Sequence, residues 1–278
     1  MEGIFFGIST GRVASMTLAN LINLEENVLC LHEGKVRDLE QSGEEVLSFL
    51  TLQNRLAYEY PDRTDDFICS YRNFFPEICH KRGLTHFGDI AYNYAPMIGA
   101  LHRRYPFAKF IFQYRDCLSF VESCTNVAGL DTAPVGWPPE GKELSAVEKY
   151  IGLGRLQPVM GTKEAIAWGS WSYISKNIWL WAETNRLIYD ELCKMDESLY
   201  LRVNFHSFAG SSVTEYERIR KFLDFGKPLP VSAKSLLSSR PINARKEKII
   251  IREKSLTLEE SAVYHKYAMP IRHSLGLG

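Results

Sequence analysis

An excess of charge of either sign is missing from this chain: 33 lysines and arginines balance 33 aspartates and glutamates over 278 residues. Without a global field, nothing in the composition attracts a nucleic acid or an anionic membrane surface. Long apolar runs are missing too, and no segment approaches the roughly 18–20 residues that cross a bilayer. The N-terminal stretch lacks the basic cluster and the sustained apolar run of a secretory leader. These absences give the expectation of a soluble, cytoplasmic protein with no integral membrane segment and no nucleic-acid partner. The six cysteines include no C-x-x-C pair, and the seven histidines show no H-x-H or H-E-x-x-H spacing. Neither a disulfide framework nor a metal site is therefore expected.

What is present suits an enzyme-sized core. Apolar residues make up 45% of the chain, ample for burial, and 278 residues fit one α/β domain spanning 1–278. Apolar runs near 3–9, 27–31, 66–70, 108–114 and 198–204 read as strands, with helical stretches between them. That alternation predicts a central, mostly parallel five-stranded sheet flanked by helices and joined by right-handed crossovers. Cys30 and Cys69 fall inside two of these runs as small buried hydrophobes. A Pro/Gly-rich stretch from Pro134 to Gly141 marks an irregular insertion over 126–161, and loops that long usually carry function or mobility. Over 162–195, Trp168, Trp171, Ile174, Ile178 and Trp181 recur at helical spacing. That stripe reads as core, with a ligand-binding wall as the alternative.

The most informative stretch runs from Phe5 to Leu18: a buried strand, a tight turn at Gly11 carrying Arg12, and the first turn of a helix. A helix N-terminus presents unpaired amides and the positive end of its dipole, so it can hold a phosphate. Arg12 adds a planar, permanently charged fork, and Ser15 and Thr17 add hydroxyl donors. The segment is not the nucleoside-triphosphatase pattern G-x-x-x-x-G-K-[ST]. Three residues separate Gly7 from Gly11, arginine replaces lysine, and Val13 follows it. Nor is it G-x-G-x-x-G.

A second stretch, Pro106 to Ser123, repeats the design. A run of β-formers from Lys109 to Tyr114 ends in Arg115-Asp116 and becomes a helix with apolar Leu118 and Val121. Arg115 emerges at the carboxyl end of a strand, where open α/β sheets bind ligands. Ser123 lies two helical turns on, able to face the same groove. The plain alternative is a salt bridge between Arg115 and Asp116 or another carboxylate.

Together the two stretches resemble the sulfotransferases that use 3′-phosphoadenosine 5′-phosphosulfate (PAPS), whose P-loop-NTPase-like fold has just such a sheet. In that family a loop of the form T-G-R-S-G-T/S-T after strand one holds the 5′-phosphosulfate. Thr10-Gly11-Arg12-Val13-Ala14-Ser15 matches it with two departures, Val13 for a small polar residue and Ala14 for glycine. The family's strand running into R-D-P reaches a serine eight residues after the arginine; Arg115, Asp116 and Ser123 keep that spacing, with Cys117 in place of proline. The resemblance implies PAPS as cosubstrate, 3′-phosphoadenosine 5′-phosphate (PAP) as product, and no metal. It places the phosphosulfate on residues 10–17, including Met16, and the 3′-phosphate on Arg115 and Ser123. Weaker matches follow in order: Leu31-His32-Glu33 after strand two, and His86-Phe87-Gly88-Asp89 before the second motif, with Ile90 for the usual lysine. Trp181–Leu192, Leu199–Asn204 and Ile219–Phe225 are similar to the family's late helix, strand and helix.

Sulfuryl transfer needs positioned cations to stabilise the charge that develops on the leaving phosphate, and a base for the acceptor proton. Arg12 suits the first task. The resemblance gives Glu33 as base, with His32 as runner-up and His86 and His206 as outside candidates. The alternative for His32 and Glu33 is packing and a turn before Gly34. From Lys227 to Lys254 the chain carries eight basic and two acidic residues. This is a solvated face or, by resemblance, a late loop over the nucleotide with Arg240 or Arg245 at the 3′-phosphate. The insertion over 126–161 becomes the candidate lid near the acceptor, a small molecule, glycan or glycolipid. Rival readings are a non-catalytic nucleotide-binding relative and an ATP-dependent small-molecule kinase.

Overall fold

The computed structural model describes residues 3–34, 52–66, 68, 80–125, 135–141, 143–210, 212–238 and 250–277. Five strands, β1 (Gly3–Ile8), β2 (Val28–His32), β3 (His86–Ile90), β4 (Lys109–Tyr114) and β5 (Tyr200–Asn204), form one sheet in the order β2-β3-β1-β4-β5. Every pairing is parallel. The expected α/β architecture is therefore present, with one strand displaced.

That strand is the third. Asp66 and Ile68 are helical, whereas β3 comes from His86–Ile90; residues 67, 69 and 70 of the expected run, Cys69 among them, lie outside the described residues. β3 holds Gly88 and Asp89, both poor strand formers by composition, yet all five of its residues are buried. Gly88 is required by packing: a Cβ there would sit 2.2 Å from the Phe5 ring. Tertiary contact overrides local preference at this strand.

Strand residues alternate between two apolar layers, as period-two side chains must. Phe6, Ile8, Phe110 and Phe112 enter one layer; Phe5, Ile111 and Val203 enter the other. The first layer is covered by helix α2 (Ile98–Arg104), by α3 (Cys117–Thr125) and by the long α5 (Tyr173–Leu192). Ser172 starts α5 by accepting the Ser175 amide at 3.2 Å. Ile178, Trp181 and Ile188 lie along its fully buried face, each contributing roughly 1.5–3 kcal/mol by leaving water. The tryptophan stripe is therefore core, Trp168 meeting Trp137 and Trp179 edge-on and Trp171 at a tilt at its rim. The second layer is covered by α1 (Ser15–Ile22) and α6 (Ser212–Phe222). The insertion contributes α4 (Ala146–Leu153).

This topology positions a site. After β1 the chain crosses over the second layer through α1 toward β2; after β4 it crosses the first layer through α3 toward β5. Neighbouring strands whose following helices depart to opposite faces leave a crevice at their carboxyl ends. Here the crevice lies between β1 and β4. Among the described residues no helix is long and apolar enough to cross a membrane.

Candidate functional site

The loop leaving β1 has an unusual backbone. Gly11, Arg12 and Ala14 all adopt left-handed φ values, +80°, 58° and 62°. Gly11 is needed twice over, because a Cβ on it would also stand 2.8 Å from the Val135 side chain. Ala14 holds a conformation that glycine adopts freely and alanine only at a cost of about 1–2 kcal/mol. Val13, the other departure from the family pattern, turns its side chain fully into the protein. Its carbonyl accepts from Gln113 Nε2 at 3.2 Å. A buried side chain there has no need to be polar.

α1 begins at Ser15, with Ala14 as N-cap and no side-chain cap. Its first-turn amides and dipole thus face the crevice without a competing capping side chain. Ser15 Oγ instead bonds His32 Nε2 at 3.0 Å, tying this turn to the end of β2. Thr17 is half-buried and Met16 about half exposed on the same turn.

From β4, Arg115 enters the same crevice. It donates to the Arg12 carbonyl at 2.6 Å and to Ser119 Oγ at 2.5 Å, and its guanidinium lies 4.2 Å from the Phe205 ring centre. Burial, chiefly, and the nearby Arg12 charge push its pKa down to about 10, so it stays cationic at neutral pH. Arg12 Nε donates to Ser123 Oγ at 3.0 Å. Two guanidinium groups and a serine from segments more than 100 residues apart thus meet at an uncapped helix N-terminus. Like charges held together in a part-buried crevice suit a multiply charged anion.

Asp116 does not pair with Arg115. One of its oxygens accepts the Leu118 amide at 3.0 Å, starting α3, and the other pairs with Arg272 Nε at 2.8 Å. Arg272 also donates to Tyr264 Oη at 2.6 Å, and the Ile251 amide donates to Glu122 beside Ser123. The C-terminal segment is thereby pinned to the second motif. Cys117, at the position of the family's proline, is a fully buried thiol whose pKa burial raises.

Glu33 follows β2 with φ 55° and bonds its amide to the Ile90 carbonyl at 3.0 Å. The next amide, Gly34, donates to buried Asp89 at 3.1 Å, and Tyr94 donates to the other Asp89 oxygen at 2.6 Å. Asp89 therefore serves the turn that carries Glu33. His86 stands at the opposite end of β3, against Thr85 and Phe225, and the outside candidacy given to it is corrected: it is remote from the crevice. His206 lies near the right edge, after β5, but is exposed and packs on Phe205. Arg240 and Arg245 lie outside the described residues, as do parts of the insertion and of the basic segment.

Beside the loop is a narrow recess of about 10 Å³, lined by Thr10, Asn54, Tyr92, Arg155 and Thr184 among others. None of the last four stood out in the sequence. The one signal was Arg155, a lone charge in the uncharged stretch 150–162 up to Thr162. Tyr92 is held neutral: desolvation first, then the Glu33 charge, raise its pKa, while Arg155 opposes them. Glu33 and Arg155 thus both act on Tyr92.

Solved structures are similar to this chain in fold. A sulfotransferase domain from the curacin biosynthetic pathway superposes with a TM-score of 0.54 at 12% identity, over 99% of this chain and 98% of that one. A sulfotransferase from Mycobacterium tuberculosis H37Rv gives 0.47 at 14% identity, over 100% and 77%. The sulfotransferase domain of the Synechococcus PCC 7002 olefin synthase gives 0.43 at 13%, over 96% and 95%. No protein-family model and no curated protein matches the sequence. The chain has a sulfotransferase-like α/β fold.

Proposed function

We propose that this protein is a sulfotransferase that takes a sulfuryl group from PAPS and passes it to a hydroxyl of a small-molecule, glycan or glycolipid acceptor. The observation that carries the reading is the convergence of Arg12, Arg115 and Ser123 at the uncapped start of α1. That donor set fits a nucleotide with phosphates at both ends. The α1 amides, Arg12, Ser15 and Thr17 would take the phosphosulfate, and Arg115 and Ser123 the 3′-phosphate. PAPS, when bound, supplies an activated sulfuryl group on a phosphate leaving group.

The chain's own residues then have separate tasks. The acceptor oxygen forms a bond to sulfur as the bond from sulfur to the phosphate oxygen breaks, and the electron pair leaves with the phosphate. Arg12 and the first-turn amides stabilise the charge that grows there, an effect strongest where water is excluded. Glu33 takes the acceptor proton. His32 is the weaker base because its Nε2 is engaged with Ser15; its task is to orient that hydroxyl. The arrangement is similar in logic to phosphoryl transfer, where positioning and electrostatics dominate.

The test is thermal stability with PAP against 5′-AMP, ADP and ATP plus Mg²⁺, with Arg115→Ala and Ser123→Ala as controls. A ligand bound only by the native state raises the melting temperature by mass action. A rise selective for PAP and lost in both variants is expected. Preference for ATP with Mg²⁺ points to a kinase instead, and indifference to all four to a non-catalytic protein.

A further inference from the structure

A guanidinium that is to hold an anion must not already be neutralised by a carboxylate of its own protein. Among the described residues the hydrogen-bond partners of Arg115 are neutral: the Arg12 carbonyl at 2.6 Å and Ser119 Oγ at 2.5 Å. Two carboxylates nevertheless act on it, Glu122 and its chain neighbour Asp116. Both are engaged from one place, the C-terminal segment. The Ile251 amide donates to Glu122 Oε1 at 2.8 Å, and Arg272 Nε stands 2.8 Å from Asp116 Oδ2. Asp116 Oδ1 accepts the Leu118 amide at 3.0 Å. Each Asp116 oxygen thus has a partner other than Arg115.

Arg272 is itself fixed in place. It lies on α7 (Met269–Ser274), and its Nη1 donates at 2.6 Å to the hydroxyl of Tyr264, a fully buried side chain. Arg202 of β5 donates to the Ser274 carbonyl at 3.2 Å, which ties the end of α7 to the sheet. The side chains of Arg272 and Asp116 are only 21% and 24% exposed, so water and salt screen the pair less than an open surface pair. Without Arg272 the Asp116 carboxylate would be left part-buried and without its counter-charge, a costly state. The cation next to it in the chain is Arg115.

We propose that Arg272 is a positioning residue for the crevice between β1 and β4: by holding Asp116 it keeps that carboxylate from neutralising Arg115, which stays available to the 3′-phosphate of a nucleotide. This role rests on the reading of Arg115 as the 3′-phosphate ligand. It brings into the site a residue of the last helix, 157 positions after Arg115, that belongs to neither phosphate motif.

The test is calorimetric titration of the full chain with PAP and with 5′-AMP, which lacks the 3′-phosphate. Wild type should prefer PAP. Arg272→Met should weaken PAP by about tenfold, the scale of one charge-assisted hydrogen bond lost to a competing carboxylate, and leave 5′-AMP binding unchanged. Asp116→Asn keeps a helix-capping oxygen and removes the charge, so alone it should leave the preference for PAP in place. Added to Arg272→Met, it should restore the preference which that variant loses. A merely structural role predicts no such rescue, because the double variant lacks both members of the pair. Arg272→Lys, which keeps the charge, should retain most of the preference. If Arg272→Met does not fold, Arg272→Gln replaces it, with and without Asp116→Asn. An undiminished preference in the Arg272 variant, or a loss that Asp116→Asn does not restore, overturns the role of Arg272 and leaves Arg115 as the phosphate ligand. Equal binding of PAP and 5′-AMP by wild type overturns the reading of Arg115, and the role of Arg272 with it.

Discussion

Asp89 accepts the Gly34 amide at 3.1 Å from within β3, so the turn bearing Glu33 hangs from a carboxylate with no exposed surface. Tyr94 holds the other oxygen at 2.6 Å. Removing a buried, charged partner leaves both donors unmet, at about 1.5–3 kcal/mol each. Asp89→Ala should lower stability in urea by roughly 3 kcal/mol or more. Asp89→Asn, which keeps an acceptor for Gly34, should lose less. On the sulfuryl-transfer reading, Asp89→Asn should lower kcat through a loosened Glu33 turn while leaving PAP affinity near wild type. An unchanged kcat would separate Asp89 from the site.

Ala14 supplies a second test. Its φ of 62° favours glycine, and the strain relieved by Ala14→Gly slightly exceeds the entropy glycine adds to the unfolded chain. The variant should be more stable by about 0.5 kcal/mol. PAP should also bind it at least as tightly, since the amides are unchanged. Destabilisation in urea would show that the methyl group packs favourably enough to outweigh its backbone.

Away from the crevice, Arg220 and Glu25 form a buried pair at 2.7 Å, and Tyr216 donates to the same carboxylate at 2.9 Å. Breaking one side of such a pair leaves an uncompensated charge and costs about 3–5 kcal/mol. Arg220→Met should lose that much, measured by chemical denaturation, whereas Arg220→Met with Glu25→Leu should recover part of it. Failure of the double variant to recover would locate the loss in packing rather than charge.

The buried thiols set a limit at high pH. Burial raises Cys30 and Cys117 well above the ordinary thiol value of 9.0 and Cys124 up to about 12. Below pH 9 these thiols are protonated in both folded and unfolded chains and do not change stability. Above it the unfolded chain loses protons that the native one keeps. Stability should then fall by up to about 1.4 kcal/mol per pH unit for each thiol. Urea titrations between pH 8 and 10 test this, and Cys124→Ala should flatten the slope. In native protein at pH 8, iodoacetamide should modify exposed Cys193 and spare these three.

Much of the fold was readable because its signals are local. Four of the five strands coincide to within a residue with runs recognisable by apolar content, and the Gly11–Arg12 turn sits between a strand and a helix as its residues require. The expected third strand failed because His86–Ile90, with Gly88 and Asp89, has little strand character of its own. Only the Phe5 ring above Gly88 and the donors around Asp89 explain those residues.

The crevice between β1 and β4 was legible in part. The eight-residue step from Arg115 to Ser123 runs from a strand end into the second turn of the following helix, a spacing readable from the sequence. The recess was not legible. Thr10, Asn54, Tyr92, Arg155 and Thr184 belong to five separate segments, and no spacing along the chain relates them.

The sequence by itself determined the strand–turn–helix units, their charges and their order, because backbone preference and apolar periodicity act over a few residues. Only the tertiary structure decided that β1 and β4 lie side by side with their helices leaving to opposite faces. That adjacency brings Arg12 to Ser123 across 111 positions. Contacts of this kind follow from burying both faces of one sheet at once, which no single segment encodes.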